Sequence, residues 1–315
     1  MNNLSPRDHA RKARVAALSI ASNAGLVTVK LIAGLAMGSV SVLSEAIHSG
    51  VDLVAALIAF VSVRSAAKPP DERHPFGHGK FENLSGAIEA LLILLAAGWI
   101  VKEAIHKLLA PKPLEEAGLG VALMLVSAGV NWGVSRQLFK VGKETDSVAL
   151  IADGWHLKTD VYTSAGVMFG LTVVWLNNVL NLGFSVAWVD PAAALCVACL
   201  ILKAAWDLTL QSVHDLLDTS LPPEEEAWIR ERVKTYRPSV RGMHGLRTRK
   251  GGAERFVEFH LIVAEAMHVK KAHDLSEQIE QAIEEHFPAT HVSIHIEPCH
   301  KPCSKRCLDG CMAEE

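Results

Sequence analysis

Aromatic side chains are scarce in this sequence, at 6% with only two tyrosines, which leaves little with which to stack bases. A formal net charge of -3 offers no basic balance for a phosphate backbone either, so nucleic acid is excluded as a partner. There is no Walker-type loop ending in Lys-Ser/Thr to cradle a nucleotide, and no HExxH pair to prime a hydrolytic zinc. Charged residues make up 21% of the chain and are absent from long stretches. What fills those stretches is apolar. Half of the residues are hydrophobic and the mean hydropathy is +0.23, too apolar for an ordinary soluble enzyme.

Six of these stretches approach the twenty residues needed to span a bilayer. They fall at about 14–36, 40–63, 84–108, 117–139, 146–176 and 184–208. Beyond about residue 212 the pattern turns to that of soluble protein. The expected fold class is therefore a polytopic α-helical membrane protein with six transmembrane helices, followed by a soluble domain. The expected domains are 1–211 in the membrane, 212–298 outside it, and a Cys-rich tail at 299–315. The opening "MNNLSPRDHARKAR" has the charge of a signal-peptide start. The apolar run after it is too long for such a peptide and lacks a cleavage site, so it reads as a retained first helix.

Short-loop Lys and Arg residues set the expected topology. Arg7, Arg11, Lys12 and Arg14 precede the first span; Arg64, Lys68, Arg73 and Lys80 follow the second; Arg136, Lys140 and Lys143 follow the fourth. On the opposite side two loops have none, and the third has Lys102, Lys107 and Lys112. Both termini are expected in the cytoplasm of a multi-pass cell (inner) membrane protein.

The fifth span contains "DGWHLKTD", although translocon scales set the cost of a charge at a helix centre at roughly 2.5–3.5 kcal/mol. Residues three and four apart share a helix face, so Asp153, His156 and Asp160 form one polar stripe. The second span repeats it in "SEAIHSGVD", with Glu45, His48 and Asp52 at the same spacing. Two imidazoles and two carboxylates from facing helices can complete a tetrahedral shell around Zn²⁺, with His48, Asp52, His156 and Asp160 as ligands. Two anionic oxygens also neutralise the dication. Glu45 and Asp153, one turn away, are expected to orient ligands or carry protons. The alternative is a pair of metal-free polar helix contacts, but its repetition in two spans argues for a cation. Lys158 in the same stretch has no evident role beyond neutralising an acid in the empty site. Cys196 and Cys199 in the sixth span read as packing residues.

With these two stripes the chain resembles the cation diffusion facilitator family, over nearly its whole length. The resemblance implies a homodimer exchanging a divalent cation for protons, and His48, Asp52, His156 and Asp160 fall on the family's transport site. Some members carry Asp where this chain has His48. The two-His, two-Asp set is that of zinc-selective members and favours zinc over manganese. Iron, cadmium, cobalt and nickel remain alternatives. Outward transport is implied by the family, not by the residues.

The loop after the second span reads "KPPDERHPFGHGK", with Asp71, His74 and His78 among Pro69, Pro70 and Pro75. By residue reading alone these are a solvated loop or a cation site; the resemblance implies a second zinc site. It also implies that Lys80 pairs with an acid at the start of the soluble domain, Asp218.

The soluble part opens with "PPEEEAWIRERVKTY", a helix start, followed by the strand-like "VRGMHGLRTRK" and "RFVEFHLIVA" across a Gly-Gly turn. Residues 270–286 are amphipathic and "HVSIHIEP" alternates. This αββαβ order resembles the family's α+β ferredoxin-like cytoplasmic domain, which dimerises. His244, His260, His273 and His295 recur on these elements, and His295 and Glu297 share a strand side. They are either scattered surface histidines or, as the resemblance implies, a zinc site with structural or regulatory ions, with Glu297 where the family has Asp. The tail has no family match. Cys299, Cys303, Cys307 and Cys311 are thiols in a reducing cytoplasm, read as an accessory metal-binding tail or a flexible segment.

Two other classes compete with a transporter. A membrane metalloenzyme would need an open coordination position, which four protein ligands do not leave. A membrane-bound metal sensor without transport leaves the two intramembrane stripes unexplained.

Overall fold

The computed structural model describes residues 5–37, 40–109, 118–179 and 188–299. The chain divides into two compact units, one of them Arg7–Val213 and the other built mainly from His214 onward. In the first lie helices α1 (Pro6–Met37), α2 (Val40–Ala66), α3 (Lys80–Leu109), α4 (Gly118–Glu144), α5 (Val148–Val179) and most of α6 (Val189–Leu216). Over the described residues, four segments are long and apolar enough to cross a membrane: Pro6–Ala36, Glu45–Ala66, Lys80–Leu109 and Pro191–Leu216. Large apolar side chains such as Ile32, Leu35, Leu95, Trp99 and Trp206 stand exposed on these helices, as a lipid-facing surface requires.

The helices run past the apolar stretches read from the sequence alone, at about 14–36, 84–108, 117–139 and 184–208. α1 begins at Pro6, α3 at Lys80, α4 continues to Glu144 and α6 to Leu216. Polar pairing accompanies the extensions of α1, α3 and α4. Lys12 of α1 and Glu82 of α3 form an ion pair with both side chains almost completely buried, and Ser147, just before α5, donates its hydroxyl to Glu82. Arg11 pairs with Glu144 beside it, more exposed. A hydropathy window stops at the first charges and so misses helix that is stabilised by their partners.

α5 is the central helix. Its Ala149, Leu150 and Leu157 pack with Ala16 of α1, Val63 of α2 and Val134, Leu138 and Val141 of α4. On another side its Ala152 meets Ala90, Ile93 and Ala97 of α3 and Ile201, Ala205 and Leu208 of α6. Small residues let these backbones approach. At Gly86 of α3 an added Cβ would stand 2.7 Å from Ser212 Oγ and 2.8 Å from Val148 Cγ1, too close for any side chain. Cys196 and Cys199, read from the sequence as packing residues, do not pack in this core. Both are exposed, because α6 turns Ala198, Ile201 and Ala205 inward instead.

The second unit holds α7 (Pro223–Lys234), β1 (Val240–Gly251), β2 (Glu254–Ala264), α8 (Val269–His286) and β3 (Thr290–Cys299). β1 and β2 form the expected antiparallel hairpin; α8 then crosses over so that β3 lies parallel to β2, in sheet order β1-β2-β3. Val257, Phe259 and Leu261 of β2 pack on Ile229 and Val233 of α7 and Ile279 and Ile283 of α8. Asp218, which the resemblance pairs with Lys80, stands 3.4 Å from Arg249 within this unit.

Removing one member of a buried ion pair leaves the other charge uncompensated, at a cost of about 3–5 kcal/mol. Glu82→Ala should therefore lower the thermal unfolding midpoint in detergent markedly, while the double replacement Lys12→Met with Glu82→Leu should recover most of the loss. Equal melting of Glu82→Ala and the unaltered protein would contradict a stabilising role for the pair.

Candidate metal centres

The first cluster joins α2 and α5. Helical spacing puts His48 and Asp52 on one face of α2, and Asp153, His156 and Asp160 on one face of α5. The Asp52 Oδ1 and His156 Nε2 atoms are 3.0 Å apart and both side chains are buried. His48 Nε2 lies 3.8 Å from Asp160 Oδ1 across the same gap. Donor atoms of His48, Asp52 and Asp160 all fall within 4.8 Å of one another. His156 is tied to this set through Asp52 rather than being equally close to all three. Donors on a tetrahedral zinc, at about 2.0–2.2 Å from the metal, stand about 3.4 Å apart. The donors of His48, Asp52 and Asp160 thus stand within the range that one ion can span, with His156 beside them.

Two residues beside this cluster went unnoticed in the sequence reading. Asn131 of α4 donates its Nδ2 hydrogen to Asp160 Oδ2 at 3.3 Å. Lys30 of α1 donates to Ser49 Oγ at 2.9 Å and to Glu45 Oε2 at 3.2 Å. Glu45 thus pairs with Lys30, which draws it toward α1. Lys30 is the sole charge between residues 15 and 37, and that isolation was the available signal. Lys158, which the sequence left without a role beyond neutralising an acid in the empty site, faces three rings. Its Nζ lies 4.6 Å from the Trp155 centroid, 5.4 Å from Phe139 and 5.5 Å from Tyr162.

The second cluster lies in the loop before α3. Asp71 Oδ1 accepts the backbone N–H groups of Arg73 at 2.9 Å and His74 at 2.7 Å, closing a tight turn. His74 Nδ1 is 3.1 Å from Asp71 Oδ1 and His78 Nε2 is 3.3 Å from Asp71 Oδ2. The backbone hydrogen bond from His74 does most to hold the Asp71 carboxyl below its ordinary range, and the His74 ring adds to it. All three donors lie within 4.8 Å of one another.

The third cluster is built by strand register. His244, His260 and His295 are direct neighbours across β1, β2 and β3. Glu297, two residues beyond His295, reaches His260 Nδ1 at 2.7 Å and His244 Nε2 at 3.0 Å. Its carboxyl is held below the usual value by the bond with His260 first and that with His244 second. His295 Nε2 is 3.8 Å from the same carboxylate. The sheet is irregular just after His244, where Gly245 has φ +65, and a Cβ there would press to 3.2 Å from the His260 ring. Glycine thus keeps room for that ring. His273 is not brought to this cluster. It sits on α8, exposed, 3.3 Å from Glu277, because α8 turns Leu275 and Ile279 toward the sheet. Cys299 is the last residue of β3, whereas Cys303, Cys307 and Cys311 lie outside the described residues.

Residues 16–217 match the cation efflux transmembrane domain, and residues 221–299 match the cation efflux protein cytoplasmic domain. The chain belongs to the cation efflux family. A transporter of Synechocystis sp. described as uncharacterized is 38% identical over 285 residues, covering 90% of each chain. A cation-efflux pump, FieF, of Klebsiella pneumoniae is 34% identical, covering 90% of this chain and 91% of its own. A solved structure of a putative zinc transporter, CzrB in its zinc form, is 36% identical, covers 27% of this chain and 97% of its own, and has a TM-score of 0.24. As a member of this family the chain is an integral membrane cation efflux transporter and not an enzyme.

The depressed Glu297 carboxyl makes a pH prediction for the metal-free protein. A carboxylate with a lowered folded value contributes stability that is complete above its unfolded value and fades as pH falls through the folded one. The urea midpoint of the soluble unit should therefore drop as pH falls below the ordinary glutamate value of 4.5. In Glu297→Gln this part of the drop should vanish; an unchanged pH profile would show that the bonds to His260 and His244 contribute nothing.

Proposed function

We propose that this cation efflux transporter exports Zn²⁺ from the cytoplasm in exchange for protons. His48, Asp52, His156 and Asp160 bind the cargo. The observation that carries this reading is the pairing of Asp52 with His156 at 3.0 Å and of His48 with Asp160 at 3.8 Å, across two helices of the helical unit.

Each pair sets a nitrogen against a carboxylate oxygen. Without metal, a protonated imidazole satisfies the carboxylate facing it. A dication needs the same lone pairs, so neutral histidines and ionised aspartates must replace the two ion pairs and protons must leave. The loaded and the proton-loaded site have similar net charge, which limits the cost of either in a dry surrounding. Alternating exposure to the two sides then couples outward metal to inward protons. Asn131 holds Asp160 in place, and its loss acts through the ligand it orients.

The wider reading is a homodimer with six membrane spans, both termini cytoplasmic, in the cell (inner) membrane, with a ferredoxin-like soluble domain. The Asp71–His74–His78 and His244–His260–Glu297 groups, with His295 beside the latter, hold further zinc ions as structural or regulatory partners. The imidazole at position 48 favours zinc over harder cations.

Zinc flux into proteoliposomes under a proton gradient tests the proposal. Asp160→Ala should lower gradient-driven flux by more than about 100-fold, and Asn131→Ala by about 10-fold. Flux of iron, cobalt, nickel or cadmium in place of zinc would move the assignment to that metal. Folded protein that moves none of them would point to a membrane-bound sensor.

A further inference from the structure

The metal donors do not use up the polar groups buried among these helices. Glu89 of α3 has no exposed surface, and no well-formed hydrogen bond reaches its carboxylate oxygens, the Ser85 hydroxyl one turn earlier being the polar group that faces them. Asp153 of α5 is in the same condition, without a well-formed hydrogen bond and with the Ser19 hydroxyl of α1 facing it. Ser85 Oγ, and Ser19 Oγ and Asn23 Nδ2 of α1, are also buried without a well-formed hydrogen bond. Ala90 of α3 packs with Ala152 of α5, so the neighbouring Glu89 and Asp153 are carried into the same helix contact, and Asp153 shares a face of α5 with His156. A run of polar side chains thus leads from the metal donor His156, through Asp153, to Glu89.

Two carboxylates within each other's field in a dry interior cannot both stay ionised without a cation. Nearby lysines have other partners: Lys12 has Glu82, Lys30 has Glu45 and Ser49, and Lys158 has its three rings. Among the described residues, Asp153 is the one charged group that acts on Glu89. α6 brings apolar Ile201, Ala205 and Leu208 to this packing, and on the α2 side Asp52 acts on Asp153. A proton is the cation that such a site can take.

We propose that Glu89 is a proton-binding site of the transporter, sharing one proton with Asp153 and releasing it when a dication enters beside His156. This rests on the proton-coupled reading above. The dication puts two charges where His156, one helical turn from Asp153, held one, so it favours the ionised form of Asp153 and the shared proton leaves the pair. Return of that proton from the far side favours metal release. Glu89 touches no metal in this scheme. Its role is to add a proton to the exchange beyond those held by the ligands themselves.

The test counts protons released per zinc bound, in weakly buffered detergent solution, for the unaltered protein and for Glu89→Gln. Glu89→Gln should release about one proton fewer while its zinc affinity stays within about threefold. An unchanged count overturns the proposal. If the unaltered protein binds zinc but releases no protons, the proton-coupled reading has failed instead. A second measurement needs no substitution. Infrared difference spectra of protein labelled with ¹³C-glutamate should show a neutral carboxylic acid band that is lost on zinc addition and shifted by the label. A band that is absent, or that the label does not shift, removes Glu89 from the exchange.

Discussion

The helical unit depends on one constraint: a polar group carried into an apolar bundle must find a partner, a cation or a proton there. α5 carries Asp153, His156 and Asp160, and it is the helix packed against α2, α3 and α4 and, through Ala152, against the α6 core. Asp52 answers His156, Asn131 answers Asp160, and three aromatic rings surround Lys158. Small residues at Ala149, Ala152 and Gly154 bring the neighbouring helices close enough for these meetings. The same demand operates at the helix ends, where the Lys12–Glu82 pair and the Ser147 hydroxyl accompany helical structure beyond the apolar stretches.

Partnering by ionisable groups also makes the site exchangeable. A hydrogen-bonded His–Asp pair is stable without metal yet presents the lone pairs a metal needs, so cargo and protons compete for the same atoms. A purely apolar contact would pack as well and bind nothing. The soluble unit uses a different geometry for a similar donor set. Parallel pairing of β2 and β3 lines up three histidines from three strands, and Glu297 ties two of them.

Family membership, the helical membrane region and the αββαβ order were legible in the sequence, because long apolar runs, repeated spacings and strand alternation are local signals. The paired stripes of α2 and α5 were legible for the same reason: residues three and four apart share a helix face whatever surrounds the helix. His273 was grouped with His244 and His260 although α8 turns it elsewhere, since histidine content alone does not say which face meets the sheet. Cys196 and Cys199 were misjudged likewise, because apolar neighbours in sequence do not reveal which side of α6 is inside.

The sequence by itself determined which residues share a face within each element, since that follows from the helical and strand repeats. It could not determine which faces meet. That Lys30 takes Glu45, that Asn131 reaches Asp160, and that α3 brings Glu89 to the Asp153 turn of α5 are meetings between different helices. Only the tertiary structure decided them, because the partner of a buried polar group is chosen by packing in space and leaves no periodic mark along the chain.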